Sequence, residues 1–347
     1  MCNEYKVVSS DACDNNVTNV NNVNSDVQGE RLTVGKDKDN VINVNIAISN
    51  IRGLRSKTKS LENIVNKEPF NFIMISETHT PWAEKPKTQG LTHFHRNRNP
   101  REGSAKAKGG VSIAAGVEDQ DFCTITERGE DGREFIAVKS SRFEPPLTLY
   151  SYYGRQENKV SDSETTNTLT EIFSNGRMNA DRGEVVVIGG DFNLHVGRKF
   201  DLKYNDEKVS KGGADLEIIS KEYGFTMVNA RACTWDHTTH CDSTTGNKRA
   251  LDFIFVNDEA IKDVEKVQMD DWEKPEVTPY RLLRKKEEVV RLHTDHRTLW
   301  MTIKLKKNMK AKKRDEVTRW RISPKGLAEY FSLTGQYAEN IVEMAQD

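Results

Sequence analysis

The sequence predicts a mixed α/β domain flanked by two polar tails. Its 347 residues suffice for one large α/β domain plus tails, or for two small domains. Strand-like runs recur through the middle of the chain, and stretches with helical periodicity separate some of them. Hydrophobic residues make up 35% of the chain, partly because both ends are polar. We therefore expect the core to lie within one domain that spans residues 41–306.

The two ends differ in composition from the middle. Residues 1–40 are rich in Asn, Asp, Val and Ser and have no regular periodicity, which predicts a disordered leader. Residues 307–347 begin with a Lys-rich stretch, and Ser323-Pro324 then marks the start of a modestly amphipathic helix. This pattern is typical of a basic linker and a first helix that lead to a further domain, so we interpret the chain as part of a longer protein.

Charge, cysteine content and hydropathy indicate which classes of protein the sequence fits. The formal net charge is -1, but basic residues concentrate in the segments 96–98, 106–108, 281–286 and 304–321. These segments could line a nucleic-acid track or be solvated loops, and the sequence favours neither. Five cysteines without paired spacing or a secretory leader indicate reduced thiols inside a cell. No apolar run reaches the roughly 18 residues of a membrane span.

Period-two alternation and short apolar runs predict the strands, and helical spacing predicts three helices in the middle of the chain. The predicted strands are Val41–Ser49, Phe70–Ile75, Thr92–Arg96, Gly109–Ile113, Asp121–Thr126, Glu134–Lys139, Leu147–Tyr152, Glu184–Ile188, Thr226–Val228, Phe253–Val256, Val264–Met269 and Leu299–Leu305. The predicted helices are Ser56–Lys67, Asp162–Asn175 with Asp162 or Ser163 as its cap, and Ala214–Glu222 closed by Gly224.

The most informative strand is the β-branched run that ends in Gly189-Gly190-Asp191-Phe192-Asn193. Such a run predicts a strand buried on both faces, and the glycines permit a tight turn and a close backbone approach. Asp191 and Asn193 are two residues apart, so on an extended backbone their side chains point the same way. Taken alone, an Asp-x-Asn after a strand is more often a polar turn.

Other strand-like runs also border polar residues that can bind a cation or transfer a proton. These residues are Asn50, Glu77, Tyr153, Asp252, Asp295 and His296. Carboxylates and an imidazole at one rim suit Mg²⁺ and general acid–base catalysis, which together can cleave a phosphate ester. No nucleophilic Ser or Cys motif and no phosphate-binding glycine loop competes with this interpretation. His237, His240 and Cys241 have weak zinc-like spacing but lack a second ligand cluster, so we predict no zinc site.

The order of these motifs resembles the endonuclease/exonuclease/phosphatase superfamily over about residues 43–305. The motifs are Asn50 before Arg52-Gly53-Leu54, Ser-Glu77-Thr-His, Gly-Gly-Val111, Tyr153-Gly, Gly-Gly-Asp191-Phe-Asn193, Thr234-Trp235, Leu-Asp252-Phe-Ile and Thr-Asp295-His296-Arg297. Each motif is weak alone, but eight in this order are specific. The chain looks most similar to the apurinic-type endonuclease domain of non-LTR retrotransposons. The resemblance implies a DNase-I-like four-layer fold, in which a two-sheet β-sandwich is flanked by helices.

The resemblance also implies the ligands of a metal ion and the residues that face the substrate. Glu77 would be the principal Mg²⁺ ligand, with Asn50 and Asp295 close to the ion and Mn²⁺ as an alternative ion. Thr234 and Arg52 would lie on the DNA-facing side.

Catalytic roles follow from the same resemblance. Tyr153 and Asn193 would contact the scissile phosphate, and Asp191 would activate the attacking water. His296, oriented by Asp252, would stabilise the pentacovalent phosphate.

The implied function is Mg²⁺-dependent nicking of DNA that leaves a 3′-hydroxyl able to prime reverse transcription. DNA would be the partner, with a reverse transcriptase domain in the same polyprotein and an intracellular, nuclear location. Open alternatives are an apurinic repair endonuclease, an RNA exonuclease, a lipid phosphodiesterase of this fold, an inactive nucleic-acid-binding domain and a domesticated gene product.

The chain departs from the family pattern at two positions. Thr294 replaces the usual Ser but keeps a hydroxyl, so we expect little effect. Arg155 stands where Pro is common, which is expected to reshape the phosphate loop without removing a catalytic group.

Overall fold

The structure is a computed structural model that describes most of the central part of the chain. The described residues are 40–68, 70–81, 84–98, 109–130, 133–155, 161–203, 207–234, 236–285 and 288–313. The predicted leader, apart from residue 40, and the predicted C-terminal helix therefore lie outside the described residues, as does Trp235. The domain boundaries at 41 and 306 stay predictions.

Within these residues the structure contains strands β1–β17 and helices α1–α3. The strands, in order, are Val41–Asn50, Phe72–Ser76, Leu91–Arg96, Val111–Gly116, Cys123–Arg128, Phe135–Ser140, Phe143–Glu144, Leu147–Tyr153, Val185–Asp191, Phe225–Met227, His240–Cys241, Lys248–Arg249, Asp252–Asn257, Val264–Met269, Tyr280–Lys285, Glu288–His293 and Leu299–Lys307. The helices are Thr58–Lys67, Asp162–Asp181 and Lys211–Glu222. None of these helices is long and apolar enough to cross a membrane.

Two large sheets have the same arrangement of strands at their centres. The first has the order β14-β17-β1-β2-β4-β3, with β7 also paired to β17, and the second has the order β10-β13-β9-β8-β6-β5. Each sheet has one parallel pair at its centre, β1 with β2 and β8 with β9. Parallel strands end at the same edge of a sheet, so Asn50 lies beside Ser76 and Tyr153 lies beside Asp191.

The sheets and helices form the four layers that the family resemblance implied. Alternate residues of β1 face two different cores. Ile46 and Ile48 pack between the sheets, whereas Ala47 packs with Leu61 of α1. On the second sheet, Val187 faces the inner core, and the residues beside it in the strand face α2 and α3. The prediction that this run is buried on both faces is confirmed.

The end of β9 requires both of its glycines. A Cβ at Gly189 would lie 2.7 Å from Met74 Cε and 2.9 Å from Ile48 Cγ2, inside the core between the sheets. Gly190 has a φ of 143°, and a Cβ there would clash with the carbonyl oxygen of Tyr152. Gly189 therefore lets the two sheets approach closely, and Gly190 lets β9 lie against β8, next to Asp191.

Three of the local features that differ from the prediction concern helices α2 and α3 and one hairpin. Helix α2 continues to Asp181, and its cap is Ser161, because Ser161 Oγ accepts the backbone N–H of Glu164 at 3.3 Å. Helix α3 begins at Lys211 rather than Ala214. The hairpin of β15 and β16 lies in a charged segment whose sequence has no clear strand pattern, so it was not predicted.

Candidate active site

The ends of the two central strand pairs bring the predicted residues to one edge of the sandwich. Asn50 ends β1, Tyr153 ends β8 and Asp191 ends β9, while Glu77 follows β2 directly. Asp252 begins β13 and is paired in register with Asp191. The strand ends of both sheets therefore contribute polar side chains to a single site.

Asp191 is the buried centre of this site. Asn50 Nδ2 donates to Asp191 Oδ2 at 2.8 Å. Asn193 donates its backbone N–H to Asp191 Oδ1 at 3.0 Å and its Nδ2 to Oδ2 at 3.2 Å. Asn193 adopts a left-handed backbone with a φ of 53°, and its Nδ2 also donates to Gly154 O at 2.7 Å. The two amides hold the Asp191 carboxylate in a fixed orientation.

His296 lies between the carboxylates of Asp252 and Asp191 in the buried part of the site. Its Nδ1–H donates to Asp252 Oδ2 at 2.7 Å, and its Nε2 lies 3.9 Å from Asp191 Oδ2. Asp252 is held in turn, because its backbone N–H donates to Thr239 Oγ1 at 3.0 Å and its carbonyl accepts Asn229 Nδ2 at 2.8 Å. The carboxylate of Asp252 thus fixes the imidazole orientation.

The electrostatics of this buried trio raise two pKa values. Burial disfavours the charged imidazole, but the Asp252 and Asp191 carboxylates outweigh it and raise the pKa of His296 to about 10. Burial and the charge of Asp252 raise the pKa of Asp191 to about 8, although His296 opposes this rise. The imidazole therefore stays positive at neutral pH, beside an aspartate whose raised pKa makes its ionised form a stronger base.

Glu77 lies in a more open part of the site, between Tyr153 and His79. Tyr153 Oη donates to Glu77 Oε1 at 2.7 Å, and His79 Nε2 lies 3.1 Å from Oε2. Burial would raise the pKa of Glu77, but these hydrogen bonds outweigh it and lower the pKa to about 2. Glu77 and His79 have φ values of 52° and 49°, and such backbone strain in non-glycine residues is concentrated at functional sites.

Asp295 faces three groups that carry or can carry positive charge. Its Oδ2 forms an ion pair with Arg52 and lies 3.6 Å from His240 Nε2. Burial would raise the pKa of Asp295, but His240, His296 and Arg52 lower it to about 2. Asp295 Oδ1 is buried and has no hydrogen-bond partner among the described residues.

The comparisons with known proteins agree with this geometry. The model of the Endonuclease/Exonuclease/phosphatase family matches residues 42–271, which is more than half of the chain. The chain belongs to this family. No curated protein matches the sequence.

Solved structures of several other proteins share the fold at low sequence identity. An AP endonuclease from Archaeoglobus fulgidus has a TM-score of 0.56 and 16% identity, covering 75% of this chain and 99% of its own. The endonuclease domain of TRAS1, a telomere-specific non-LTR retrotransposon, has a TM-score of 0.51 and 15% identity, covering 75% and 98%. A variant of the 3′ phosphatase NExo from Neisseria, bound to a product DNA hairpin, has a TM-score of 0.55 and 15% identity, covering 75% and 99%.

Two histidines of this family member were not predicted as site residues. His79 follows Glu77 by two positions, so its place after β2 was a usable signal. The ring of His240 lies 4.7 Å from the ring of His296, a contact between distant segments that no local pattern indicates. His237 takes no part, because Lys203 N–H donates to its Nδ1 at 2.9 Å and its Nε2 lies 3.3 Å from Ala232 O.

Two predicted loop residues have different surroundings. Thr294 Oγ1 accepts His296 N–H at 2.9 Å and lies 3.0 Å from Asn50 O, so it links the last motif to the first. Thr234 Oγ1 lies 3.2 Å from Asp236 O, a contact within its own loop. Among the described residues, no contact joins Thr234 to the carboxylates of the site.

The donor set fits a divalent cation. A bound cation would satisfy the buried Asp295 Oδ1, and the oxygens of Glu77 and Asn50 are ligands of the kind that Mg²⁺ prefers. Among the described residues, two groups of three have ligand atoms within 4.8 Å of one another. The groups are His240, Asp295 and His296, and Asp191, Asp252 and His296. Glu77 belongs to neither group, so its role as a ligand stays a prediction.

Proposed function

We propose that this protein is a Mg²⁺-dependent phosphodiesterase that nicks one strand of DNA and leaves a 3′-hydroxyl. The observation that carries the proposal is the position of Asp191. It is buried, oriented by Asn50 and Asn193, and lies 3.9 Å from the nitrogen of an imidazole that Asp252 holds.

In the proposed reaction, Asp191 accepts a proton from the attacking water, whose oxygen forms a new bond to phosphorus. The P–O3′ bond breaks and the departing O3′ takes up a proton from solvent, which leaves a 3′-hydroxyl and a 5′-phosphate. The positive imidazole of His296 stabilises the charge that develops on the phosphate oxygens. Asn193 and the Tyr153 hydroxyl would contact the phosphate, because Tyr153 is paired with Asp191 and Asn193 follows Asp191 by two residues.

Glu77, Asn50 and Asp295 would hold the metal ion. Mg²⁺, or Mn²⁺ as an alternative, would neutralise part of the phosphate charge when bound. Arg52 would bind substrate near this position, since its half-exposed guanidinium already pairs with Asp295.

The proposed substrate and origin are supported by the names of the structural neighbours. One neighbour is an AP endonuclease, one is bound to a DNA hairpin, and one is a non-LTR retrotransposon endonuclease domain. We therefore propose a retrotransposon origin, a reverse transcriptase domain in the same polyprotein and action on nuclear DNA. Thr234 would contact DNA from its loop.

The test is cleavage by purified protein of supercoiled plasmid with Mg²⁺, with Mn²⁺ and with a chelator. Parallel reactions use an abasic duplex, a single-stranded RNA and sphingomyelin. We expect nicked plasmid in the metal-containing reactions, and nicks that a DNA polymerase extends without prior repair. Preferential cleavage of the abasic duplex would instead indicate a repair endonuclease, and cleavage of RNA or lipid alone would refute the DNA proposal.

The Asp191→Ala protein, purified in the same way, is the control for contamination. Unchanged nicking by this variant would show that the activity does not belong to the protein, and binding of DNA without cleavage by the wild type would support a non-catalytic role.

A further inference from the structure

A second charged cluster lies beside Tyr153 and has no role in the proposed reaction. It consists of Arg98, Glu134 and Arg155. Glu134 is buried immediately before β6, its Oε2 accepts the backbone N–H of Gly110 at 2.6 Å, and its Oε1 forms an ion pair with Arg98. Arg155 Nε lies 3.9 Å from the same Oε1.

This cluster has an excess of positive charge. Two guanidinium groups, which remain charged at any physiological pH, share the single carboxylate of Glu134. Arg155 Nε is buried and has no hydrogen-bond partner among the described residues, and an unsatisfied buried donor is unfavourable. The side chains of Arg98 and Arg155 are still 29% and 19% exposed, so a ligand can reach them from solvent.

The position of the cluster relates it to the candidate active site. Arg155 follows Tyr153 by two residues, and Arg98 Cζ lies 5.8 Å from the centroid of the Tyr153 ring. Tyr153 donates to Glu77 at 2.7 Å. The two guanidinium groups are therefore one side chain away from the group that would hold the metal ion.

We propose that Arg98 and Arg155 form a phosphate subsite that binds the phosphodiester next to the scissile one on the same strand. The inference rests on the proposed function, because it requires a substrate with more than one phosphate. A planar guanidinium pairs with two phosphate oxygens at once, so the exposed parts of the Arg98 and Arg155 side chains can bind a phosphate. Glu134 is a positioning residue that holds Arg98 beside Tyr153.

The test measures binding of a fluorescent DNA duplex by anisotropy, in a chelator so that no cleavage occurs. We expect Arg155→Gln and Arg98→Gln each to raise the Kd by about tenfold and to reduce the slope of log Kd against log salt concentration by about one. Arg155→Lys keeps the charge and is expected to bind more tightly than Arg155→Gln.

The matched control is Arg177→Gln. Arg177 has a similar exposure of 32% and also forms ion pairs, with Asp181 and Glu259, but it lies on α2 in the helical layer. We expect this variant to bind the duplex like the wild type. Equal weakening by Arg177→Gln, or wild-type binding by both Arg155→Gln and Arg98→Gln, would overturn the subsite.

Cleavage assays separate this subsite from the proposed function. On DNA we expect Arg155→Gln to raise KM with less than about a twofold change in kcat, because the lost contact is made equally before and during reaction. On bis(p-nitrophenyl) phosphate, which has no neighbouring phosphate, this variant should match the wild type. A wild type that binds but does not cleave would refute the proposed function, and the anisotropy result would still decide the subsite.

Discussion

The two halves of the candidate active site differ in their access to water. The buried half consists of Asp191, Asp252 and His296, which are 1%, 2% and 6% exposed. The open half is formed by Glu77 and Asp295, whose side chains are 18% and 13% exposed and contact partly exposed basic groups.

This difference in burial determines what each half can do. In the buried half, burial and the charge of Asp252 raise the pKa of Asp191 to about 8, and the Asp252 and Asp191 carboxylates raise the pKa of His296 to about 10 against the effect of burial. In the open half, hydrogen bonds and nearby positive groups outweigh burial and lower the pKa of Glu77 and Asp295 to about 2. The buried half therefore suits proton transfer, and the open half presents permanent negative charge that suits a cation.

The largest effect is expected in the buried half, from Asp191→Asn. The amide has nearly the same shape but cannot accept the proton of the attacking water, so we expect kcat to fall by about 10²–10⁴. The measurement is single-turnover nicking of plasmid DNA, with circular dichroism to verify the fold. Retention of a tenth of the wild-type rate would show that another group acts as the base.

A smaller effect, which depends on the Mg²⁺ concentration, is expected from Glu77→Gln in the open half. Loss of a charged ligand should raise the Mg²⁺ concentration for half-maximal rate by at least about tenfold, with partial recovery of the rate at saturation. The measurement is a Mg²⁺ titration of the cleavage rate beside the Asp191→Asn protein, whose Mg²⁺ requirement should change less. An unchanged titration curve would remove Glu77 from the ligand set.

Asp252→Asn tests the origin of the charge on His296. Without this carboxylate the pKa of His296 should fall from about 10, and we expect roughly a tenfold lower cleavage rate. Since the folded-state pKa is raised, the charged imidazole stabilises the fold below its unfolded pKa, and this stability is lost as the pH rises through about 10.

Two measurements apply to the Asp252→Asn variant. NMR titration of the His296 ring should give a lower pKa than in the wild type. Unfolding free energies should differ between the two proteins at pH 7 but converge as the pH approaches about 10. An identical titration in both proteins would show that Asp252 does not set the imidazole pKa.

The smallest effect is expected at Thr294, which contacts His296 and Asn50. Thr294→Ser keeps the hydroxyl that contacts His296 N–H and Asn50 O, so its cleavage rate should stay within about twofold of the wild type. Thr294→Ala lacks the hydroxyl and should lower the free energy of unfolding by about 0.5–1.5 kcal/mol. Urea denaturation of both variants checks this, and equal stability would indicate that water replaces the hydroxyl.

The sequence by itself determined the main strands and the position of most site residues at their ends. The runs that became β2 and β9 were recognisable because burial on both faces requires continuous apolar side chains, and β1 was recognisable from its alternation of polar and apolar residues. Both are local patterns. The polar residues that follow such runs were therefore predictable as a group. The four-layer arrangement came from the family resemblance and is confirmed by the fold.

Only the tertiary structure decided which of these side chains meet. Asn50 contacts Asp191 across 141 residues of sequence, and the Asp252 and His296 side chains meet across 44. The pairing of His240 with Asp295 and the cluster of Arg98, Glu134 and Arg155 likewise join separate segments. Local periodicity records whether a side chain is buried but not which distant partner it meets, because strand register and loop closure depend on the packing of the whole domain.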